Sequence, residues 1–468
     1  MRLSVIGCGY LGAVHAAAMA SIGHEVVGID VDPRKIEALS RGEAPFFEPD
    51  LEELLAAGVS SGRLTFTTDI AAAAGSDVHF IAVGTPQQSA SEAADLTYVN
   101  AAVDGLLPHL RAGDVVAGKS TVPVGTAAVL AKRVNPTGAT LVWNPEFLRE
   151  GWAVEDTIHP DRIVVGIEQT DAQPSSEPIR GLSVREPGIT WPVAATGPDS
   201  SPDTADDVVA TMKAVYHPAV AAGTPFIVTD WATAELVKVA ANAFLATKIS
   251  FINAMAEIAE VTGADVTQLA DAIGHDERIG RRFLGAGIGF GGGCLPKDIR
   301  AFSARAEELG RGESVTFLRE VDAINLRRRE RAVQLVVDAV GGSVFEKKVT
   351  VLGAAFKPHS DDIRDSPGLD VAVRLRGLGA SVTVTDPAAI PNARRLHPQL
   401  TYVDDRDEAI RDSDAIVLVT EWDEYRRELS PEHASSLTSC RVVVDGRNGW
   451  DAAAWRAAGW SYYGMGRP

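Results

Sequence analysis

Residues 2–30 read RLSVIGCGYLGAVHAAAMASIGHEVVGID. A short apolar strand runs into a glycine turn, an alanine-rich helix follows, and a second apolar strand ends on Asp30. Gly7, Gly9 and Gly12 make G-x-G-x-x-G directly after the strand and before the helix. In that setting Gly7 permits the tight turn, Gly9 lets a pyrophosphate approach the backbone, and Gly12 lets the helix pack closely. The helix N-terminus then faces the phosphates with its positive end. A glycine turn of purely structural purpose would look the same without Asp30. A carboxylate there accepts hydrogen bonds from both ribose hydroxyls of a dinucleotide and repels a 2′-phosphate, which favours NAD over NADP, although Arg34 lies close by.

The pattern returns later in the chain. Residues 347–386, KKVTVLGAAFKPHSDDIRDSPGLDVAVRLRGLGASVTVTD, again give strand, glycine turn, helix and strand, now ending on Asp386. Both halves continue to a similar third strand, SDVHFIAVGTP from Ser76 and SDAIVLVTEW from Ser413. Short apolar strands alternating with helices imply parallel sheets, so the expected fold is α/β with two Rossmann-like domains. Between them, residues 230–265 (DWATAELVKVAANAFLATKISFINAMAEIAEVTGAD) hold no Pro and one late Gly, with Asp230 as an N-cap. This predicts a long central helix joining the two α/β domains and offering a subunit interface. Residues 168–207 are rich in Pro, Ser, Asp and Glu without a sustained period, and read as a surface insertion. The expected domains are 1–210, a helical region 211–330, and 331–468.

A formal charge of −19 argues against nucleic acid or an anionic membrane as the main partner. Three cysteines, Cys8, Cys294 and Cys440, make neither a disulfide framework nor a metal site. The N-terminus has no signal-peptide pattern, and no uninterrupted apolar run reaches membrane length. A cytoplasmic protein without a membrane span or a metal is expected.

Residues 285–298, GAGIGFGGGCLPKD, place a cysteine at the end of the most glycine-rich run. A structural cysteine usually sits among large apolar side chains. Cys294 instead follows bare backbone, and Pro296 suits the first turn of a helix. A thiol at a helix N-terminus with Lys297 nearby is expected to carry more thiolate, which makes it a nucleophile. Cys8 and Cys440 read as packing residues. Beside a nicotinamide site, such a nucleophile implies alcohol oxidation to an aldehyde, capture as a thiohemiacetal, oxidation to a thioester, and hydrolysis to an acid. The alkoxide needs a cationic or hydrogen-bonding partner. Lys238 and Asn242, four apart on the central helix, share one face and fit that need, although a lysine on an apolar helix also snorkels to solvent.

Taken together, GCGYLG (7–12), VGTP (83–86), STVPVG (120–125), NPEFLREG (144–151), ELVKVAANAF (235–244), FGGGCLPKD (290–298), AFKPHSDDIRDSP (355–367) and DGRN (445–448) resemble the UDP-glucose/GDP-mannose dehydrogenase family, most closely its UDP-glucose-oxidising members. The resemblance runs through nearly the whole chain, with residues 168–207 outside it. It implies oxidation of UDP-glucose to UDP-glucuronate with two NAD per turnover, in a homodimer. By the same resemblance Cys294 matches the nucleophile, Lys238 and Asn242 the oxyanion partners, and Asp298 the carboxylate near the lysine and the hydrolytic water. Thr121 matches the residue that positions that water, and Glu146 an acid/base glutamate. Cofactor contacts are expected from Gly7, Gly9, Tyr10, Leu11, Gly12, Asp30, Lys35, Thr85, Pro86, Thr121, Glu150, Lys297 and Arg364. Sugar-nucleotide contacts are expected from Glu146, Phe147, Leu148, Arg149, Glu150, Lys238, Asn242 and Cys294. Others are expected from Phe283, Leu284, Gly287, Gly291, Phe356, Lys357 and Arg447, and Arg278 is expected from across the dimer.

Two departures stand out. Gly293 replaces the polar or aromatic residue often found before the cysteine, and Asp50 stands where the family usually has glycine after Glu-Pro. They bear on loop stiffness and substrate detail. Rival readings are the same chemistry on GDP-mannose or a UDP-N-acetylhexosamine, and a silent nucleotide-sugar-binding protein. The reacting set Cys294, Lys238, Asn242, Asp298, Glu146 and Thr121 disfavours the silent protein.

Overall fold

Strands β1 (Arg2–Ile6), β2 (Glu25–Ile29), β3 (Leu64–Thr67), β4 (Val78–Ile81), β5 (Val115–Gly118), β6 (Thr140–Trp143), β7 (Ile163–Ile167) and β8 (Phe226–Asp230) form one sheet in the order β3-β2-β1-β4-β5-β6-β7-β8. The structure is a computed structural model describing residues 1–88, 91–168 and 203–468, so most of the expected insertion at 168–207 lies outside the described residues. All neighbours pair in parallel except β6 with β7. Both faces of this sheet are covered. Leu3, Val5, Phe80 and Ala117 pack into one apolar layer, while Ile6, Ile81 and Val116 pack into the other. That alternation is the period-two signature of a sheet buried on both sides.

A second sheet contains β9 (Lys348–Leu352), β10 (Ser381–Thr385), β11 (Thr401–Tyr402), β12 (Ala415–Leu418), β13 (Val442–Asp445) and β14 (Ser461–Gly464), all parallel, in the order β11-β10-β9-β12-β13-β14. Both sheets therefore reverse strand order beside their first strand, which opens a crevice at the carboxyl ends there. The segments from Ser76 and Ser413, expected as third strands, are fourth in chain order. The short edge strands β3 and β11 precede them. Edge strands this short carry too few apolar residues to show a period.

By internal contacts the chain divides into two compact units, Met1–Pro86 with Ala94–Lys238, and Gln87–Ala93 with Val239–Pro468. The predicted long helix is Trp231–Thr262. Asp230 caps it by accepting from Thr233 N at 2.8 Å and Thr233 Oγ1 at 2.7 Å. Gly263, with φ +76°, ends it in the left-handed conformation that glycine adopts most readily. By length and composition this helix is the one among the described residues that is apolar enough to cross a membrane. Its polar residues Glu235, Lys238, Asn242, Ser250 and Asn253 are nevertheless buried in protein.

Candidate active site

In the first unit, the turn after β1 has the geometry its glycines require. Gly7 has φ +93°, and a Cβ on Gly12 would stand 1.8 Å from the Gly7 carbonyl oxygen. Gly9 differs, since nothing lies within 4 Å of a Cβ built there. The helix Tyr10–Ser21 starts directly after it. Asp30 Oδ2 accepts from Cys8 N at 2.8 Å and from Lys35 Nζ at 2.8 Å, and Oδ1 accepts from Asp32 N at 3.0 Å. The open approach over Gly9, the helix N-terminus and the strand-end carboxylate fit a dinucleotide. Burial, reinforced by Asp30, raises the Cys8 thiol far above its ordinary value, so this cysteine stays an inert thiol.

The other expected cofactor residues of this unit form two small networks. Thr85 Oγ1 donates to the Thr121 carbonyl at 2.8 Å, which ties the VGTP and STVPVG loops together. Pro86 is exposed, and its carbonyl accepts from Asp95 N at 2.7 Å. Tyr10 hydrogen-bonds Glu48, whose carboxylate accepts from Gly151 N and Ala153 N, each at 2.6 Å. Burial raises the Glu48 pKa, opposed by those hydrogen bonds. This clamp fixes the turn that carries buried Glu150, while Leu11 and Leu148 pack on the same apolar layer. Asp50, two residues on, has φ +63°, the left-handed conformation in which glycine is cheapest.

Glu146 and Lys238 meet as a nearly buried ion pair at 2.7 Å. Glu146 Oε2 also accepts from Leu148 N at 2.8 Å. Phe147 lies under two cations, with Arg162 at 3.9 Å and Lys238 at 5.8 Å from its ring centre. Arg149 is held by Asp156 through its backbone N–H and its guanidinium, at 2.6–2.9 Å, and this pairing raises its pKa. Thr121 sits on a loop anchored by Glu235, a buried carboxylate three residues before Lys238. Glu235 accepts from Gly125 N at 2.7 Å and Ala127 N at 2.6 Å, at the start of the helix Thr126–Val134. Sequence reasoning passed over Glu235, although its i, i+3 spacing to Lys238 was a signal. Lys119, Asn144, Tyr216 and Arg162 were passed over too, and only the charge following the apolar strand VVAG marks Lys119.

In the second unit, Cys294 is exposed, belongs to no disulfide, and is the N-cap residue of the helix Leu295–Glu308 with Pro296 in its first turn. Asp298, one turn further, is buried and accepts from Asn242 Nδ2 at 2.7 Å and Lys297 Nζ at 2.6 Å. The glycines before the cysteine are also demanded by packing within the protein, not only by ligand access. A Cβ on Gly291 would lie 2.2 Å from the Asp365 carbonyl oxygen, and one on Gly292 would lie 2.7 Å from the Phe356 ring. Gly287 N donates to Asn253 Oδ1 at 2.9 Å. At Gly293 a Cβ would collide with the Arg364 guanidinium, 2.3 Å from its Cζ. That guanidinium is the far end of a flexible, exposed arm, which Asp362 holds at 2.6–3.0 Å, so a side chain at 293 would have to displace it.

Arg447 is turned to structural work, donating to the carbonyls of Val419 at 2.7 Å, Gly289 at 2.7 Å and Phe356 at 3.2 Å. It thereby stitches the glycine loop to the ends of the second sheet. Lys357 Nζ lies 5.3 Å from the Phe356 ring centre. Leu284 is buried, whereas Phe283 is partly exposed with φ +66°, a strained conformation for a bulky residue. Arg278 is mostly exposed and pairs with Asp276 inside its own turn. No cluster of metal-binding side chains occurs among the described residues.

Family comparisons cover most of the chain. Residues 1–180 match the NAD binding domain model of the UDP-glucose/GDP-mannose dehydrogenase family, residues 232–327 its central domain, and residues 350–452 its UDP binding domain. UDP-glucose 6-dehydrogenase of Rhizobium meliloti is 40% identical over 473 residues, covering all of both chains. UDP-glucose 6-dehydrogenase TuaD of Bacillus subtilis is 40% identical, covering all of this chain and 93% of its own. Among solved structures, a UDP-glucose dehydrogenase from Pyrobaculum islandicum is 37% identical with a TM-score of 0.83, covering 100% of this chain and 98% of that one.

Proposed function

Because the chain belongs to the UDP-glucose/GDP-mannose dehydrogenase family, we propose that it oxidises UDP-glucose to UDP-glucuronate in two steps with NAD. The observation that carries the reading is Cys294, an exposed thiol at a helix start beside the Asn242–Asp298–Lys297 cluster.

NAD, the cofactor, supplies the hydride acceptor, one molecule for each oxidation. The turn at Gly7, Gly9 and Gly12 with Asp30 would hold it, assisted by Thr85, Thr121, Glu150 and Arg364. The Cys294 thiolate adds to the C6 aldehyde, forming a C–S bond and a thiohemiacetal whose oxygen takes a proton. Loss of a second hydride and that proton leaves a thioester. Water then attacks the carbonyl, the C–S bond breaks, and the thiolate returns with the sugar acid released. Lys238 and Asn242 hold the oxyanion. Glu146, ion-paired with Lys238, handles protons, and Asp298 and Thr121 orient the hydrolytic water. Incubating the protein with NAD and a panel of nucleotide hexoses while reading NADH absorbance tests the substrate. Turnover of UDP-glucose above GDP-mannose and UDP-N-acetylhexosamines is expected, and a reversed order refutes this choice.

The working unit is a homodimer in the cytoplasm. Phe244, Phe251 and Ile258 recur every seven residues on the long helix and are exposed together with Val261. A second copy covering this stripe removes it from water. Light scattering on the wild type and on Phe244→Asp/Phe251→Asp checks this, with dimer and monomer expected respectively. A wild-type monomer overturns it.

A further inference from the structure

Lys119 follows β5 directly and stands two residues before Thr121, with its side chain buried. Its hydrogen-bond partners are neutral. The amine donates to Tyr216 Oη at 3.2 Å and to Asn144 Oδ1 at 3.4 Å, and Tyr216 Oη donates to the same Asn144 oxygen at 2.6 Å. The Phe80 and Tyr216 rings lie 5.9 and 5.7 Å from the amine. From the helix Tyr10–Ser21 comes His15, fully buried, with neither ring nitrogen hydrogen-bonded, and held neutral by burial and by Lys119 itself. Burial likewise keeps Tyr216 protonated. The charges that Lys119 feels belong to Glu146 and Lys238. A cavity of about 50 Å³ lined by Lys119, Asn144, Glu146, Phe147, Arg162 and Tyr216 joins the amine to the Glu146 loop. Asn144 in turn anchors that loop by donating to the Val164 carbonyl at 2.8 Å.

A cation placed among neutral groups opposes folding, so its retention calls for another role. We infer that Lys119 is a positioning residue for the oxidation: its charge acts on the Glu146–Lys238 ion pair, and its hydrogen bond to Asn144 fixes the loop bearing Glu146. Burial, opposed by Glu146 and reinforced by Lys238, brings the lysine down from its ordinary 10.5 to about 8. The amine therefore changes charge within the range where the enzyme can be assayed.

This inference rests on the proposed roles of Glu146 and Lys238 in sugar oxidation. The test is kcat and KM for UDP-glucose from about pH 6 to pH 10 for the wild type, Lys119→Met and Tyr216→Phe, with thermal melts of each. The wild type is expected to show a limb near pH 8. Lys119→Met loses that limb, with kcat down about tenfold to a hundredfold and KM changed by less than about threefold. Its Tm holds or rises, because the buried charge is gone. Tyr216→Phe keeps the packing but removes an acceptor for the ammonium form, so the limb moves to lower pH. If Lys119→Met fails to fold, the shift in Tyr216→Phe decides. Profiles superimposable on the wild type, or a lower Tm with the limb intact, overturn the inference. A wild type inactive on every nucleotide sugar sinks the functional reading and this inference with it; an active wild type with an unchanged variant profile sinks the inference alone.

Discussion

The two sheets begin alike and end differently. Each starts with strand, turn, helix and a second strand closed by an aspartate, in the same strand order. In the first unit only residues 7–9 separate β1 from its helix. In the second, residues 353–366 intervene before the helix Pro367–Gly377. The two aspartates diverge with the turns. Asp386 is buried and accepts from Ala354 N, Ala355 N, Ala388 N, Ala389 N and Trp422 Nε1, at 2.7–3.1 Å. Asp30 accepts from two backbone N–H groups and a lysine that is itself partly exposed. One skeleton thus serves two ends. A short glycine turn leaves the strand end open to a ligand, and a long loop turns the aspartate into an internal anchor while carrying Phe356, Lys357 and Arg364.

That contrast breaks most visibly at Asp386. Asp386→Ala strands four buried donors and one half-buried donor, so a loss of about 3–5 kcal/mol and a fall in Tm of roughly 10 °C are expected. A melt within about 1 °C of the wild type would show that the anchor is dispensable. Asp30→Ala is expected to act on the cofactor more than on the fold. It should lower kcat/KM for NAD roughly tenfold to a hundredfold and narrow the preference over NADP, as steady-state kinetics with both cofactors will show. An unchanged NAD/NADP ratio would place Asp30 with Asp386 as an anchor. Gly9→Ala is the smallest and sharpest case. The backbone there, φ −70°, suits any residue, and a methyl group meets no protein atom. The Tm should stay within about 1 °C while KM for NAD rises several-fold and KM for UDP-glucose holds. An unaltered KM for NAD would mean that nothing approaches Gly9.

Much of this was legible in the chain. The roles of Gly7 and Gly12 follow from spacing alone, and φ at Gly7 and the contact at Gly12 agree. The start of the long helix was readable from Asp230, but its end was carried to Asp265, three residues past Thr262, because Gly263 was not taken as the stop. The departure at Asp50 signalled a left-handed residue, and that at Gly293 a neighbouring guanidinium, but neither reason can be read without coordinates. Edge strands β3 and β11 escaped notice because four residues and two residues carry little pattern. Lys119 and Glu235 escaped because their partners lie far along the chain, at Tyr216 and at Gly125. The packing demands on Gly291 and Gly292 come from residues 356 and 365 and were invisible for the same reason.

The central claim is that one thiol, Cys294, retains the aldehyde so that a second oxidation follows. The most direct test is the yield of NADH from a limiting, known amount of UDP-glucose with excess NAD. Two NADH per sugar nucleotide are expected, with UDP-glucuronate as the product. One NADH per sugar, with free aldehyde in solution, would contradict it.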